Sequence, residues 1–314
     1  MRLLFALVLL LTVPVCSANA QKPVIVPGTH VSIAPPPLWT SSTAFSGFQD
    51  NGSGSSIVVT EMAGAPYSKT SIAFTKQDMA KRGMELVEKV SAVYGSHNGI
   101  LLSARQSSRG ENYVKWIACF GDKSQTVIIT ASVKVAYQAK QADAVVASLR
   151  SACINAGATV DAFDGLLFTI QAKEPYRMAN RITSTIIFTP KGEFPTPTPT
   201  SPLFVVGSSL GGPQIADQET FARTRVKQIE MLSDINVYDA QKVALDGLAG
   251  IQLAATATDT KTRATMLVYQ VILFDKDVYY IMQGISTQKE QAELSIWAEM
   301  VKSFKRRAGL ATKP

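Results

Sequence analysis

The chain has 314 residues, of which 46% are hydrophobic and 18% charged, with a formal charge of +7 and a pI near 9.2. That length predicts one or two domains, and the composition is too apolar for a disordered chain. The basic residues form no stripe interleaved with aromatics, which argues against a nucleic-acid-binding class.

Residues 1–20 read as a targeting segment. Arg2 precedes the apolar run Leu3 to Leu11. Pro14 and the small residues Ser17-Ala18-Asn19-Ala20 follow, so alanines stand at −3 and −1 before Gln21. This is the layout of a secretory signal peptide cleaved after Ala20, and it predicts a periplasmic or secreted product. The apolar core is too short to span a bilayer, and no second long run follows, so no transmembrane segment is expected in the mature chain. Cys16 lies in this leader, but Val13-Pro14-Val15 does not form a lipobox. Cys119 and Cys153 then remain. An even pair in an oxidising compartment predicts a disulfide between them, two free thiols being the alternative. The loop it closes, of about 34 residues, corresponds to roughly 3–4 kcal/mol of chain entropy.

A first domain is expected over 21–155. Ala44–Gln49 and Ser56–Met62 alternate like strands around the turn-rich Asp50-Asn51-Gly52-Ser53-Gly54. Thr75 is placed to cap a helix whose apolar positions Met79, Leu86, Val87, Val90, Val93 and Tyr94 share one face. Gly99–Ser107, Asn112–Phe120 and Thr126–Val133 read as an antiparallel meander. A closing helix over Ala139–Cys153 places Ala142, Val145, Val146, Leu149 and Cys153 together.

Residues 156–161 read as a linker, 162–307 as a second domain of the same plan, and 308–314 as a basic tail. Strands are expected at Leu166–Ile170, Ile182–Phe188 and Leu203–Val206. Asp217 is placed to cap a helix carrying Phe221, Arg225, Ile229 and Leu232. A second meander covers Gly250–Thr258, Ala264–Phe274 and Val278–Ser286. Thr287 to Glu290 has a capping-box pattern and opens a helix with Leu294, Trp297, Val301 and Phe304 on one face. Phe194 to Pro202, with alternating prolines, reads as a long surface loop of polyproline character. The two units align at an offset of 154, which matches Phe274 to Phe120 and puts Leu273 where the first unit has Cys119. The expected fold class is therefore α+β: two similar domains, each an antiparallel sheet covered by two helices.

The order of elements, the Gly247-Leu-Ala-Gly-Ile-Gln-Leu strand opening, Tyr269 in mid-strand and the Trp297–Phe304 helix ending in Ser-Phe resemble the PsbP and Ran-binding Mog fold family. The resemblance covers most of 31–307 as a tandem pair. It implies a binding or assembly subunit rather than an enzyme, and it carries no family-wide functional residue.

Chemistry-bearing motifs are few. Gly207-Ser208-Ser209-Leu210-Gly211 matches G-x-S-x-G after a strand, but Gly212-Pro213 follows where a helix should begin. The only histidines, His30 and His97, lie upstream of the serine and have no cysteine pair for zinc. Asp275 and Asp277 flank a hairpin turn, where backbone bonding suffices to explain them. Trp116 and Trp297 fit core positions, whereas Trp39, after a proline run, is placed to line a cleft. No catalytic residue, metal or cofactor is expected. The expected function is an exported, non-catalytic binding or assembly protein of the cell envelope, with a groove between the units, or at the edge of either sheet, as its default site. The alternative is a small-molecule or lipid carrier with an apolar pocket between sheet and helices. The partner is an unidentified envelope protein or small ligand. Lys302, Lys305, Arg306, Arg307 and Lys313 suit either a helix C-terminus or weak contact with an anionic membrane.

Overall fold

Apolar runs broken by glycine and aspartate turns fold almost entirely into antiparallel strands. The computed structural model describes residues 22–108, 110–198, 200–209, 215–276, 278–287 and 291–307. The predicted signal peptide, the Leu210-Gly211 end of the G-x-S-x-G segment, Asp277, most of the capping box and the 308–314 tail lie outside the described residues.

The first half opens with β1 (Val24–Ile25) and β2 (Val31–Ile33). Its seven-stranded sheet uses β3 (Thr40–Ser41), β4 (Gly47–Asp50), β5 (Ser55–Ala63), β6 (Met84–Tyr94), β7 (His97–Ser108), β8 (Glu111–Gly121) and β9 (Gln125–Lys134). β10 (Cys153–Ile154) then returns to pair with β2. The second half opens with β11 (Phe168–Thr169). Its seven-stranded sheet uses β12 (Arg177–Ile182), β13 (Thr185–Thr189), β14 (Leu203–Ser208), β15 (Leu232–Leu245), β16 (Leu248–Asp259), β17 (Thr265–Phe274) and β18 (Tyr279–Ser286). β19 (Lys305–Arg306) pairs back with β11. The sheet orders are β3-β4-β5-β9-β8-β7-β6 and β12-β13-β14-β18-β17-β16-β15, which are the same path traced twice.

Short helices occupy both faces of each sheet. α1 (Tyr67–Thr70) and α2 (Lys76–Lys81) lie with Ile100, Leu102, Ile117 and Cys119, while α3 (Gln138–Arg150) covers Trp116, Ala118 and Phe120 on the other side. In the second half, α4 (Gln218–Val226) covers Ile251, Val268 and Ile272, and α5 (Gln291–Lys302) covers Tyr269, Val271 and Leu273. Burial on both faces explains why β8 and β17 read as nearly continuous apolar runs rather than alternating ones. α2 and α4 start on matching caps with roles exchanged. Thr75 Oγ1 accepts from the Asp78 backbone N–H, and Asp217 Oδ1 accepts from that of Thr220, both within about 3.1 Å.

The expected α+β class, with two helices over each sheet, is thus corrected to a mostly β molecule with helices split between opposite faces. The decisive segment is 84–94. Its apolar spacing predicted helix, but it forms β6, an edge strand. A bulge between Leu86 and Glu88 leaves Val87 unpaired against β7 and breaks the two-residue alternation. That interruption imitates helical spacing, and the β-branched Val87, Val90 and Val93 favour the strand. β15 repeats the device with irregularities at Ser233/Asn236 and Val237/Asp239. Ile229 and Leu232 accordingly fall beyond the end of α4.

The register also shifts the expected offset by one. Gly99 pairs with Phe120 and Gly250 with Leu273, so Leu273 matches Phe120, and Ile272 matches Cys119. An offset of 154 would swap the two faces of the strand, since a one-residue slip inverts every side chain. A small clamp recurs at the end of each half. Ser151 Oγ accepts from Ala34 N at 2.8 Å and donates to Ser148 O at 2.6 Å. Ser303 Oγ accepts from Gln171 N at 2.8 Å and donates to Met300 O at 2.6 Å. Each serine ties the chain after the opening strand to the end of the closing helix.

Candidate functional site

The two halves meet where β12, the edge strand of the second sheet, runs beside β5 of the first. A cavity of about 310 Å³ lies there, lined from the first half by residues that include His30, Ser46 and Glu61, and from the second by Met178, Asn180 and Arg181. The groove expected between the units is therefore present as a physical space.

Arg181 is the fixed point of this wall. It is 8% exposed, and its guanidinium donates to the carbonyls of Thr183, Ala162 and Asp164 and to Ser46 Oγ of the first half, at 2.6–3.0 Å. Burial pulls its pKa down to about 10, with Asp164 and Asp161 opposing, so it remains charged at neutral pH. Gly28 makes room for it. A Cβ at that position would stand 1.6 Å from Nη1, and the glycine's φ of +72° disfavours a side chain in any case. Four bonds from five N–H donors make this arginine a staple between the halves rather than a free anion receptor.

Opposite it, Glu61 on β5 accepts from the His30 backbone N–H at 3.0 Å, and its carboxylate stands 3.1 Å from His30 Nδ1. The carboxylate favours the proton on Nδ1, which leaves Nε2 as the acceptor of the neutral ring. Asn180 is nine-tenths buried. Its Oδ1 accepts from the Arg181 backbone N–H, but its Nδ2 has no partner among the described residues and is closed off from solvent. A buried unsatisfied donor costs about 1–3 kcal/mol, so the folded state carries an unmet hydrogen bond in the cavity wall. A bulge at Ala179, between Met178 and Asn180, sets this residue's orientation.

The other sequence candidates fall elsewhere. Cys119 and Cys153 are both free, which corrects the expected disulfide. Cys119 faces the α1/α2 side of its sheet, and burial pushes its thiol up to about 12. Cys153 follows α3 on the opposite side, where its Sγ lies 3.1 Å from Ser32 Oγ, so the sheet itself separates the two sulfurs. Ser209 extends the β14–β18 ladder, with its Oγ accepting from Tyr279 N at 3.1 Å. Neither histidine is in its half of the molecule. His97 stands 3.9 Å from Asp122, and Asp275 pairs with Arg306 at 3.2 Å. No group of three or more potential metal ligands occurs among the described residues. Trp39 packs against the first core instead of lining the cleft.

The basic cluster near the C-terminus is internally matched. Lys302 pairs with Glu299, Lys305 and Arg306 with Asp246, and Arg307 with Asp161. These four cations therefore each have a carboxylate within 4 Å, and Lys313 lies outside the described residues. The proline-rich loop lies at the surface, and its start touches the first half. A Cβ on Gly64 of the first half would lie 2.8 Å from the Phe194 carbonyl oxygen, so the loop start is packed against that half. Among the described residues, no helix is long and apolar enough to cross a membrane. Sequence reasoning missed Asn180, Arg181 and Glu61 as site residues. Each is an ordinary polar residue in a strand, and only the meeting of the two halves brings them together.

No family model matches the chain, and no curated protein matches it. Among solved structures it aligns with the immunity protein TplEi of T6SS from Pseudomonas aeruginosa at 10% identity, over 92% of this chain and 98% of that one, with a TM-score of 0.31. The Tle4-Tli4 complex aligns at 11% identity over 91% and 97%, also with a TM-score of 0.31. PA94 of Pseudomonas aeruginosa, a protein of unknown function, aligns at 15% identity over 45% of this chain and 98% of its own, with a TM-score of 0.29. Scores of this size do not mark a shared fold.

Proposed function

We propose that this chain is an exported, non-catalytic binding protein of the cell envelope, whose two modules hold a partner in the cavity between them. The observation that carries this reading is the cavity itself, with polar groups from both halves in its wall and the unmet donor of Asn180 among them. Export rests on the leader read in residues 1–20. Kinship with the PsbP and Mog proteins is kept as a proposal of ancestry, resting on the Gly247–Leu253 segment and the Trp297–Phe304 helix.

A photo-crosslinking amino acid at Met178, which lines the cavity and is 37% exposed, tests the reading in an envelope extract of the native host. The same group at the exposed Lys227, beyond α4, is the control. A reproducible adduct from position 178 that is absent from position 227 is expected. No adduct specific to position 178 would remove the cavity as the binding site.

The carrier reading has an observation of its own. A groove of about 810 Å³ lies between α2 and strands β6 to β8, lined by Ala80, Met84, Leu86 and Tyr113 together with Lys76 and Arg105. Glu85, Gln106, Ser107 and Asn112 also line it, so it is more polar than the apolar pocket the carrier reading expects. Native mass spectrometry of gently purified protein should show a co-purifying ligand if this groove carries one, and bare protein alone would end the reading.

A further inference from the structure

We propose that the occupant of the inter-module cavity is an extended segment of a partner polypeptide, held through its main-chain amides; this rests on the cavity reading above. Three features point to an amide rather than an anion or an apolar group. First, among the described residues β12 is the outermost strand of its sheet, with β13 as its one ladder partner. Met178, Ala179, Asn180 and Arg181 of that strand all line the cavity, so its unpaired edge borders the space. An extended segment can add to such an edge by main-chain hydrogen bonds.

Second, the side chains of the walls offer both kinds of hydrogen-bonding partner. Asn180 Nδ2 needs an acceptor, and Glu61 on the facing strand has lone pairs beyond those used by His30. A peptide unit carries one acceptor and one donor, and so answers both. Asn180 Nδ2 is closed off from solvent, so reaching it requires the side chain to turn and give up the Oδ1 bond to the Arg181 N–H. Third, the charges argue against an anion. The Arg181 guanidinium already holds four acceptors, and Glu61 would repel a carboxylate or phosphate placed beside it.

The test is selection of a displayed random decapeptide library on the immobilised full chain. Enriched peptides should bind wild type and lose at least tenfold in affinity to Asn180→Asp, which keeps Oδ1 and turns the donor into an acceptor. Glu61→Gln should weaken the same peptides several-fold. N-methylation at alternate peptide residues should weaken binding similarly, since it removes main-chain donors. Ile72→Ser, at an exposed position outside the cavity, should leave binding unchanged. Thermal midpoints within a few degrees of wild type confirm that the variants fold. If Asn180→Asp fails to fold, Glu61→Gln and the N-methyl series still decide the matter. Failure to enrich any peptide, or peptides indifferent to both variants and to N-methylation, would overturn the proposal. The crosslink from position 178 separates the two readings. An adduct that enriched peptides compete away supports both. An adduct that no peptide displaces leaves the cavity reading standing and rejects the polypeptide occupant.

Discussion

The two halves trace one strand path but fill it differently. Along the matched core positions, the first half has Trp116, Phe120, Ala131 and Val145, where the second has Tyr269, Leu273, Gly284 and Trp297. Bulk lost at one position returns at another. Trp297 lies flat over Gly284, where a Cβ would come within 2.3 Å of the indole, and it stacks on Tyr269 and Phe204. The first half needs no such gap, because Val145 is small enough to sit above Ala131. Interiors are packed to near-crystalline density, so a topology survives divergence only when volumes change together. The same logic sets the two post-helix positions, Ala152 in one half and Phe304 in the other, each following the serine that clamps the opening strand.

The largest expected contrast between the halves concerns thiols, which only the first half carries. In a chain beginning at Gln21, Cys153 should react with a thiol reagent in the native protein. Cys119, buried and with its thiol pushed up to about 12, should react far more slowly until unfolding. Two reactive thiols under denaturing, non-reducing conditions are expected, and none would establish the disulfide instead.

Packing comes next. Trp297→Ala should cost about 3–5 kcal/mol in denaturant unfolding, and Val145→Ala clearly less. Gly284→Ala should cost about 1–3 kcal/mol by overpacking. Adding Trp297→Val to Gly284→Ala imitates the first half and should recover part of the combined loss, giving strong non-additivity. Strict additivity would mean that the two positions do not compensate.

The clamps should behave alike. Ser151→Ala and Ser303→Ala are each expected to cost about 0.5–1.5 kcal/mol, read from the unfolding midpoint. A cost in one half and none in the other would show that the shared geometry is not shared energetics.

The smallest effect is one of pH. The Ser53 hydroxyl, with help from Gly52 and Gln141, holds the Asp50 carboxyl below its ordinary value. A depressed folded pKa contributes stability above the ordinary carboxyl pKa of about 3.9 and loses it as pH falls below that value. Asp50→Asn should therefore flatten the acid limb of a stability profile and leave its slope near neutrality unchanged.

Much of the molecule was legible from local pattern. β7, β8, β9, β16, β17 and β18 fall within a few residues of their expected spans, as do α3 and α5, because long apolar runs bounded by turns leave few alternatives. The caps at Thr75 and Asp217 were readable for the same reason, since a side-chain oxygen three residues before its donor is a local bond. The edge strands β6 and β15 were not. Their bulges interrupt the two-residue period, and much of their surface faces solvent, so neither alternation nor a buried run announces them.

Local pattern alone located the meander strands and the closing helices that supply much of the core. Hydrophobic spacing is a local property and survives reading one segment at a time. Which face each helix covers, whether Cys119 can meet Cys153, and where Glu61, Asn180 and Arg181 converge were decided only by tertiary structure. Those outcomes depend on strand register and on contacts between residues more than a hundred positions apart, such as Arg181 with Ser46. A one-residue shift inverts a face, and no local pattern fixes it.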